Sequence, residues 1–206
     1  MLSENFRKKQ TFLRNEYSCA GKWNIPIVKR RELVDDVKLI ACSDTRSKEE
    51  HNRDRGVHFF VDDYRFEHIY DDPQRSLRKF SQYKFLLTPD YSLYAADMPL
   101  WRQIENVAKN RWCGAYWQSH GLIVYPTVSW GLAPTYDFCF DGIEKNSVVA
   151  VGMVGCKRNK PAFMRGYDAM IERIDPSAII CFGVPFAEMR GNIISVDYLS
   201  SRKAVR

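Results

Sequence analysis

The sequence predicts an α/β fold: a mainly parallel sheet of about six strands with crossover helices, doubly wound or incomplete and barrel-like. Short apolar runs rich in Val, Ile and Phe alternate with longer segments whose apolar residues recur every three or four positions. Parallel strands need such connections, because a helix must carry the chain back to the start of the next strand. We expect a basic extension over residues 1–23 and a single α/β domain over residues 24–206.

Composition limits the class of protein. The chain has 206 residues and 45% hydrophobic content, which suits one well-buried core. No apolar run approaches the roughly 18 residues that a membrane-spanning helix needs, and the basic N-terminus lacks the apolar segment of a secretory signal. Six cysteines stand without any C-x-x-C pair, which argues against a structural zinc site. We therefore expect a cytoplasmic protein that does not engage a membrane.

The strands are predicted from apolar runs that end abruptly in polar residues. The first is V-K-L-I-A-C-S-D, and the last is A-I-I-C-F-G. A charged loop, T-R-S-K-E-E-H-N-R-D-R-G, separates the first two strands without any regular apolar period, so it is either solvated or a lid. The predicted strands lie within residues 37–44, 57–61, 84–90, 122–128, 147–154 and 178–183.

Capping signals define the helices between these strands. Asp72 and Pro73 are typical of a helix start, and Asp97 with Pro99 predicts the start of a longer helix that Gly121 ends. A later helix is stopped by Asp175 and its following proline. Its apolar stripe consists of Phe163, Tyr167, Met170, Ile171 and Ile174.

Acidic residues follow three of the predicted strands. Asp44, Asp62 or Asp63, and Asp90 come directly after apolar runs, and the carboxyl ends of parallel strands share one edge of the sheet. Three converging carboxylates would make an oxygen site suited to magnesium or manganese, with Asp44, Asp62 and Asp90 as ligands. Such a site could activate water for phosphoester hydrolysis. The simpler alternative is that each Asp caps the next helix or closes a turn.

Trp130 follows a predicted strand and precedes a glycine. In that position it could form a pocket wall that stacks on a base or sugar. The chain lacks the Gly-rich phosphate loops of dinucleotide and P-loop enzymes, and no His stands at a spacing that suggests a Ser or Cys nucleophile.

The net positive charge is concentrated near the N-terminus. Residues 1–31 carry eight Lys and Arg against two Glu, which accounts for the whole formal net charge of +6. A basic segment on a neutral body suits contact with phosphates or with an acidic partner, although a purely solubilising extension has the same composition. The candidate binding residues are Arg7, Lys8, Lys9, Arg14, Lys29, Arg30 and Arg31.

Several motifs together resemble the domain-of-unknown-function family 4417. They are H-F-F-V-D-D-Y-R-F-E, L-T-P-D-Y-S-L-Y, D-M-P, G-L-I-V-Y-P-T-V-S-W and F-C-F-D-G-I, and they occur in this order over about residues 24–185. The resemblance implies a phage or mobile-element protein that works in the cytoplasm of a bacterial host cell. It implies no particular chemistry.

Two hypotheses about function follow. The first is a phage or mobile-element accessory protein that binds a nucleic acid or a host protein, for example to counter host defence. The second is a metal-dependent hydrolase that acts on a phosphate-bearing substrate at the strand carboxyl ends. The sequence leaves the partner, the oligomeric state and the presence of catalysis open.

Overall fold

Two parallel β-sheets and a short hairpin make up the strands of the protein, seen in a computed structural model that describes residues 8–94 and 97–202. The hairpin pairs β1 with β2 in antiparallel fashion and spans the boundary expected at residue 23. The four-stranded sheet has the order β3-β4-β5-β6, and the three-stranded sheet has the order β7-β8-β9. The strands are β1 Cys19–Ala20, β2 Ile25–Pro26, β3 Leu39–Ala41, β4 Gly56–His58, β5 Phe85–Leu87, β6 Val124–Tyr125, β7 Val148–Gly152, β8 Ala178–Phe182 and β9 Ile193–Val196.

All strand pairs within the two larger sheets are parallel, as the sequence predicts. The single sheet of about six strands is wrong, however, because the strands divide between two sheets. The division falls after Tyr125, where the chain makes only an isolated parallel bridge from Thr127 to Ala150. The Ala150 N–H donates to Pro126 O at 2.9 Å, and the Val128 N–H donates to Ala150 O at 2.8 Å. These two hydrogen bonds join the sheets at their boundary.

The strand order follows the chain within each sheet, without the reversal that a doubly wound sheet requires. Strand β9, Ile193–Val196, was not among the predicted strands. Its residues are mostly only partly buried, so the run I-I-S-V is a weak apolar signal beside the fully buried β8. The six predicted strands are all present as β3 to β8.

Helices separate β4 from β5, β5 from β6 and β7 from β8, and several helix ends follow local capping chemistry. They are α1 Gln10–Leu13, α2 His68–Asp71, α3 Pro73–Phe80, α4 Leu100–Ser119, α5 Lys160–Ile174 and α6 Tyr198–Arg202. The Asp72 carboxylate accepts the Arg75 N–H at 3.2 Å at the start of α3, as predicted. The predicted cap at Asp97 is wrong, because Pro99 occupies the cap position of α4 and makes no side-chain cap. Asp175 ends α5 in a left-handed conformation, with φ of 48°.

Alternate residues of the strands face two different environments. One buried cluster between the sheets contains Leu39 of β3, Tyr125 of β6, Ala150 of β7 and Ile180 of β8. The neighbouring strand residues Val149 and Ile179 belong instead to a cluster with α5. This alternation follows from the two-residue period of a strand, and it places the helices on the opposite face from the inner cluster.

Arg111 on α4 holds the end of β6 and the connection that follows it. Its buried guanidinium donates to the carbonyl oxygens of Thr127 at 2.9 Å, Cys139 at 2.8 Å and Asp141 at 3.2 Å. Its neighbour Asn110 donates to Pro89 O at 2.7 Å and to Thr127 O at 3.2 Å. The long helix therefore holds the backbone just after β5 and β6, next to Asp90.

Candidate functional site

A cleft of about 1320 Å³ opens at the carboxyl ends of the parallel strands. Residues from or just after β3, β4, β5, β7, β8 and β9 line it, so strands of both sheets contribute. This is the edge at which parallel α/β sheets usually bind their ligands. The cleft is therefore the candidate functional site.

The four acidic residues singled out in the sequence all line this cleft. Asp44 and Asp62 are exposed, and Asp63 and Asp90 are half-buried. Adjacent strand residues point in opposite directions, but β4 ends at His58, so both Asp62 and Asp63 can face the same space. The structure thus brings the strand-end carboxylates to one site.

Two of these carboxylates already have protein partners. Asp63 accepts the Ser92 hydroxyl at 2.8 Å and the Ser92 N–H at 3.0 Å, which ties the segment after β4 to the segment after β5. Asp90 accepts the Ser129 hydroxyl in a short hydrogen bond. Both side chains therefore join segments that are far apart in the chain, and neither contact is the helix cap or local turn of the simpler alternative.

Asp90 is an acid of the cleft whose pKa is raised. Its pKa is raised from 3.8 to about 6, chiefly by burial and less by the nearby Asp63 carboxylate, while the Ser129 hydrogen bond and Arg111 act in the opposite direction. Asp90 therefore carries its negative charge at neutral pH but can take up a proton only slightly below it.

The carboxylates do not form a compact metal-ligand cluster. Over residues 8–94 and 97–202, no group of three His, Cys, Asp or Glu side chains is arranged to hold a metal ion. A divalent cation at Asp44, Asp62 and Asp90 stays a prediction, and it would require these side chains to move together or to bind through water.

His58 contributes a buried donor that the sequence pattern did not single out. It lines the cleft and is 2% exposed, and its Nδ1 accepts the Phe60 N–H at 3.2 Å. An Nδ1 that accepts leaves the proton on Nε2, and that atom has no hydrogen-bond partner among the described residues. Burial lowers the pKa of His58 to about 3, so the ring is neutral at physiological pH.

Aromatic rings form another part of the cleft wall. Phe60 and Phe182 stack with their centroids 5.0 Å apart and an angle of 11° between planes, and Tyr198 meets Phe182 edge-on at 4.8 Å. Gly152 makes room for this arrangement, because a Cβ there would lie 2.7 Å from Phe60 Cδ1. Tyr64 and Tyr94 add exposed rings to the lining.

Sequence reasoning missed most of these aromatic and histidine positions. The alternation in V-H-F-F-V does place His58 and Phe60 on one face of a strand, which is a usable signal. Asp197 and Tyr198 were missed for another reason, since they follow β9, the strand that was not predicted.

Trp130 lies in the packing between a sheet and α5. Its ring centroid is 5.1 Å from that of Phe163 and 6.5 Å from that of Tyr167, both on α5. A Cβ on Gly166 would lie 2.1 Å from Trp130 Cδ1, so the indole sits directly on the helix backbone. The half-buried ring thus belongs to the core contacts of α5, and a role in stacking on a base or sugar stays a prediction.

Arg14 contacts the body of the protein. Its guanidinium carbon lies 4.1 Å from the centroid of Tyr70 and 3.8 Å from that of Trp112, and Nη2 donates to Tyr70 O at 2.5 Å. In this cation–π contact the positive charge of Arg14 interacts with aromatic rings of the protein itself. Lys8 and Lys9 are exposed, and Arg7 lies outside the described residues.

Lys29, Arg30 and Arg31 form an exposed basic strip far from the cleft along the strand direction. The Lys29 N–H donates to Gln118 Oε1 at 2.8 Å, and Gln118 Nε2 donates back to Lys29 O at 2.8 Å. Gln118 lies at the end of α4, which leads into the amino end of β6. The basic strip therefore lies at the amino-terminal edge of the sheet, opposite the acidic cleft.

Comparison with known proteins places the chain in a family. The family model described as "Domain of unknown function (DUF4417)" matches residues 17–199. The chain is 38% identical over 175 residues to the "Gene 1 protein" of Mycobacterium phage L5, covering 83% of this chain and 76% of the relative. It is 37% identical over 175 residues to the "Gene 1 protein" of Mycobacterium phage D29, covering 83% of this chain and 64% of that relative. The chain thus spans less than two thirds of the D29 protein.

No solved structure matches the chain significantly. Within residues 8–94 and 97–202, none of the helices is both long and apolar enough to cross a lipid bilayer. The resemblance inferred from the ordered motifs is confirmed, since the family match covers most of the sequence. This chain is a member of the DUF4417 family, whose relatives include proteins encoded by mycobacteriophages.

Proposed function

We propose that the protein is a phage accessory protein that works by binding a small molecule in the cleft at the strand carboxyl ends. The observation that carries this proposal is the convergence of six parallel strands on one cleft that combines carboxylates, a buried histidine and stacked aromatic rings. A large cleft with a few polar groups on an apolar wall is the usual form of a ligand site. The phage context comes from the relatives.

The proposal includes an incomplete barrel as the architecture behind the cleft. Three observations support it: the strand order follows the chain, α6 packs against β3, and His58 of β4 contacts Phe182 of β8. In such an arrangement the strand ends surround one space, and side chains from distant parts of the sequence meet there.

A screen that does not assume the ligand's chemistry tests this function. A fragment library of mixed charge is screened by ligand-observed NMR against the wild-type protein, Ser43→Trp and Ser47→Trp. Both serines are exposed, but only Ser43 lines the cleft, so an indole at position 43 takes up part of the cleft while one at position 47 does not. We expect fragments that bind wild type and Ser47→Trp but not Ser43→Trp. If no fragment binds one variant and not the other, the cleft is not the binding site.

Hydrolysis of a phosphate-bearing substrate is the second candidate, favoured by the four strand-end carboxylates in one cleft. Asp44, Asp62 and Asp90 would hold magnesium or manganese, and the cation would supply Lewis-acid activation of water. A cation that binds the folded state must raise the melting temperature. The melting temperature is measured during titration with either ion for wild type, for the cleft variant Asp62→Asn and for Asp54→Asn, an exposed control outside the cleft. An increase in wild type and Asp54→Asn that is smaller in Asp62→Asn supports this candidate, and no increase in wild type rules it out.

Binding of a nucleic acid or of an acidic host protein is a further candidate, and it rests on the exposed side chains of Lys29, Arg30 and Arg31. Their charges lie at the opposite edge from the acidic cleft, so a polyanion there would lie away from the cleft carboxylates. Gel-shift assays at low salt compare wild type with the triple variant Lys29→Ala/Arg30→Ala/Arg31→Ala. A complex that forms equally well with both proteins, or with neither, removes this candidate. In that case, any action against a host defence would have to use a surface other than Lys29, Arg30 and Arg31.

A further inference from the structure

The chemistry of the cleft differs from that of the whole chain. The chain carries a formal net charge of +6, yet among the charged residues that line the cleft five are Asp and one is Arg. Like charges repel strongly where water is partly excluded, so an anionic ligand meets an unfavourable field in this cleft. A neutral or cationic ligand is favoured.

A second feature points to a specific atom on the ligand. His58 is 98% buried in the wall of the cleft, and its Nε2–H has no acceptor among the described residues. A buried donor without a partner is costly, and an acceptor atom supplied by a ligand would remove that cost. The rings of His58 and Phe60 both line the cleft, with their centroids 5.7 Å apart.

A third feature concerns shape. Phe60 and Phe182 stack on each other in the cleft wall, and the exposed aromatic rings at the same cleft are those of Tyr64 and Tyr94. Flat aromatic surfaces of this kind bind planar ligands by stacking. The carboxylates of Asp62 and Asp90 are acceptors for amino groups.

We propose that the cleft binds a planar heteroaromatic amine without a phosphate group, of the nucleobase or nucleoside class. Such a ligand supplies a ring nitrogen that accepts from His58 Nε2–H, an exocyclic amino group that donates to a cleft carboxylate, and a face that stacks on the aromatic wall. This inference rests on the proposed ligand-binding function and names its chemical class.

Isothermal titration calorimetry without divalent cations tests the class directly. The probes are adenosine and cytidine, their deaminated counterparts inosine and uridine, and adenosine and cytidine 5′-monophosphates. We expect adenosine or cytidine to bind, with at least about tenfold weaker binding of the deaminated nucleoside and of the monophosphate. Equal or tighter binding of the monophosphate, or of the deaminated nucleoside, overturns the proposal.

Two variants locate the binding. His58→Phe removes the Nε2–H donor and keeps an aromatic ring, and we expect at least about tenfold weaker binding of the preferred nucleoside. His120→Phe is the matched control, since His120 is exposed at the end of α4. This variant should bind the preferred nucleoside with the affinity of wild type. Ser43→Trp, at an exposed position, provides a second cleft variant should His58→Phe fold poorly, and it should also abolish binding. Unchanged affinity in both cleft variants contradicts the proposal.

The outcomes distinguish this inference from the function on which it rests. If no nucleoside binds while fragments still separate Ser43→Trp from Ser47→Trp, the cleft is a ligand site for another class of molecule. If neither nucleosides nor fragments bind there, both proposals fail. If monophosphates bind only with manganese, the hydrolase candidate replaces the inference.

Discussion

His58 on β4 lies against Phe182 on β8, with ring centroids 4.3 Å apart. The two strands belong to different sheets, so this contact joins the sheets beneath the cleft. A neutral imidazole packs as an aromatic ring, and burial keeps His58 neutral by lowering its pKa to about 3. The same contact therefore serves the packing of the fold and leaves Nε2–H beside the candidate site.

Asp90→Asn should stabilise the protein at pH 8 and have little effect at pH 4. The folded-state pKa of Asp90 is about 6 against an ordinary value of 3.8, so its favourable contribution is complete below 3.8 and is lost as the pH rises through 6. The amide is never charged and still accepts from Ser129. We expect a gain of about 1–2 kcal/mol in the free energy of unfolding at pH 8.

Chemical denaturation of wild type and Asp90→Asn at the two pH values measures this effect. Asp44→Asn is the control, because Asp44 is an exposed acid of the same cleft and its removal should change stability little at either pH. A loss of stability at pH 8 in Asp90→Asn would mean that the ionised carboxylate is structurally required.

Glu49→Gln should destabilise the loop between β3 and β4. Burial acts to raise the pKa of Glu49, but hydrogen bonds from the His51 N–H, the Tyr83 hydroxyl and Asn52 outweigh it and hold the pKa at about 2. The ionised carboxylate thus contributes stability above about pH 4.5 that is lost as the pH falls through 2. At pH 7 we expect a loss of about 1–3 kcal/mol.

Thermal melts at pH 7 and pH 3 test the role of Glu49. The difference between wild type and Glu49→Gln should shrink at the lower pH, since the wild-type carboxylate is then closer to protonation. Glu50→Gln changes the exposed neighbouring residue and should have the melting temperature of wild type. Two equal melting differences at the two pH values would contradict the assignment of this stability to the charge.

Arg14→Ala should release the segment around α1 from the body. The guanidinium contacts Tyr70 and Trp112, and its loss removes two cation–π contacts and one hydrogen bond. We expect a loss of about 1–2 kcal/mol and faster proteolytic cleavage before residue 19. Lys9→Ala, at an exposed position, should leave both unchanged. Cleavage at the wild-type rate in Arg14→Ala would show that other contacts anchor this segment.

Gly166→Ala should destabilise the protein although alanine favours a helix by about 1 kcal/mol over glycine. The added Cβ would lie 2.1 Å from Trp130 Cδ1, so the indole or the helix must shift. A double-mutant cycle with Trp130→Ala tests this cause, because the same alanine should cost less, or stabilise, once the indole is gone. An equal cost in both backgrounds would point to another source of strain.

Much of the local structure could be predicted from the sequence. The apolar runs identified β3 to β8, and the capping residue Asp72 identified the start of α3, because strand burial and helix caps depend on residues close together in the chain. Strand β9 was missed since its residues are only partly buried, and Asp97 was misassigned because Pro99 itself takes the cap position.

The charged loop over residues 45–55 shows where local patterns stop being informative. Its composition suggested a solvated loop or a lid, but Glu49 is buried and bonds to Tyr83, just before the amino end of β5. The loop therefore runs along the sheet away from the cleft. Hydrogen bonds of Gln82 and Tyr83 with the loop backbone and with Glu49 hold it there, and no periodicity in the sequence reveals these contacts.

The sequence by itself determined that polar residues follow the strands, that the strands are parallel, and that the chain belongs to its family. Only the tertiary structure decided which of these residues do what: Asp44, Asp62, Asp63 and Asp90 share a cleft, Trp130 packs on α5, and Arg14 lies against aromatic rings. The physical reason is that strand and helix patterns depend on near neighbours, whereas hydrogen bonds, burial and ring contacts join residues from distant parts of the chain.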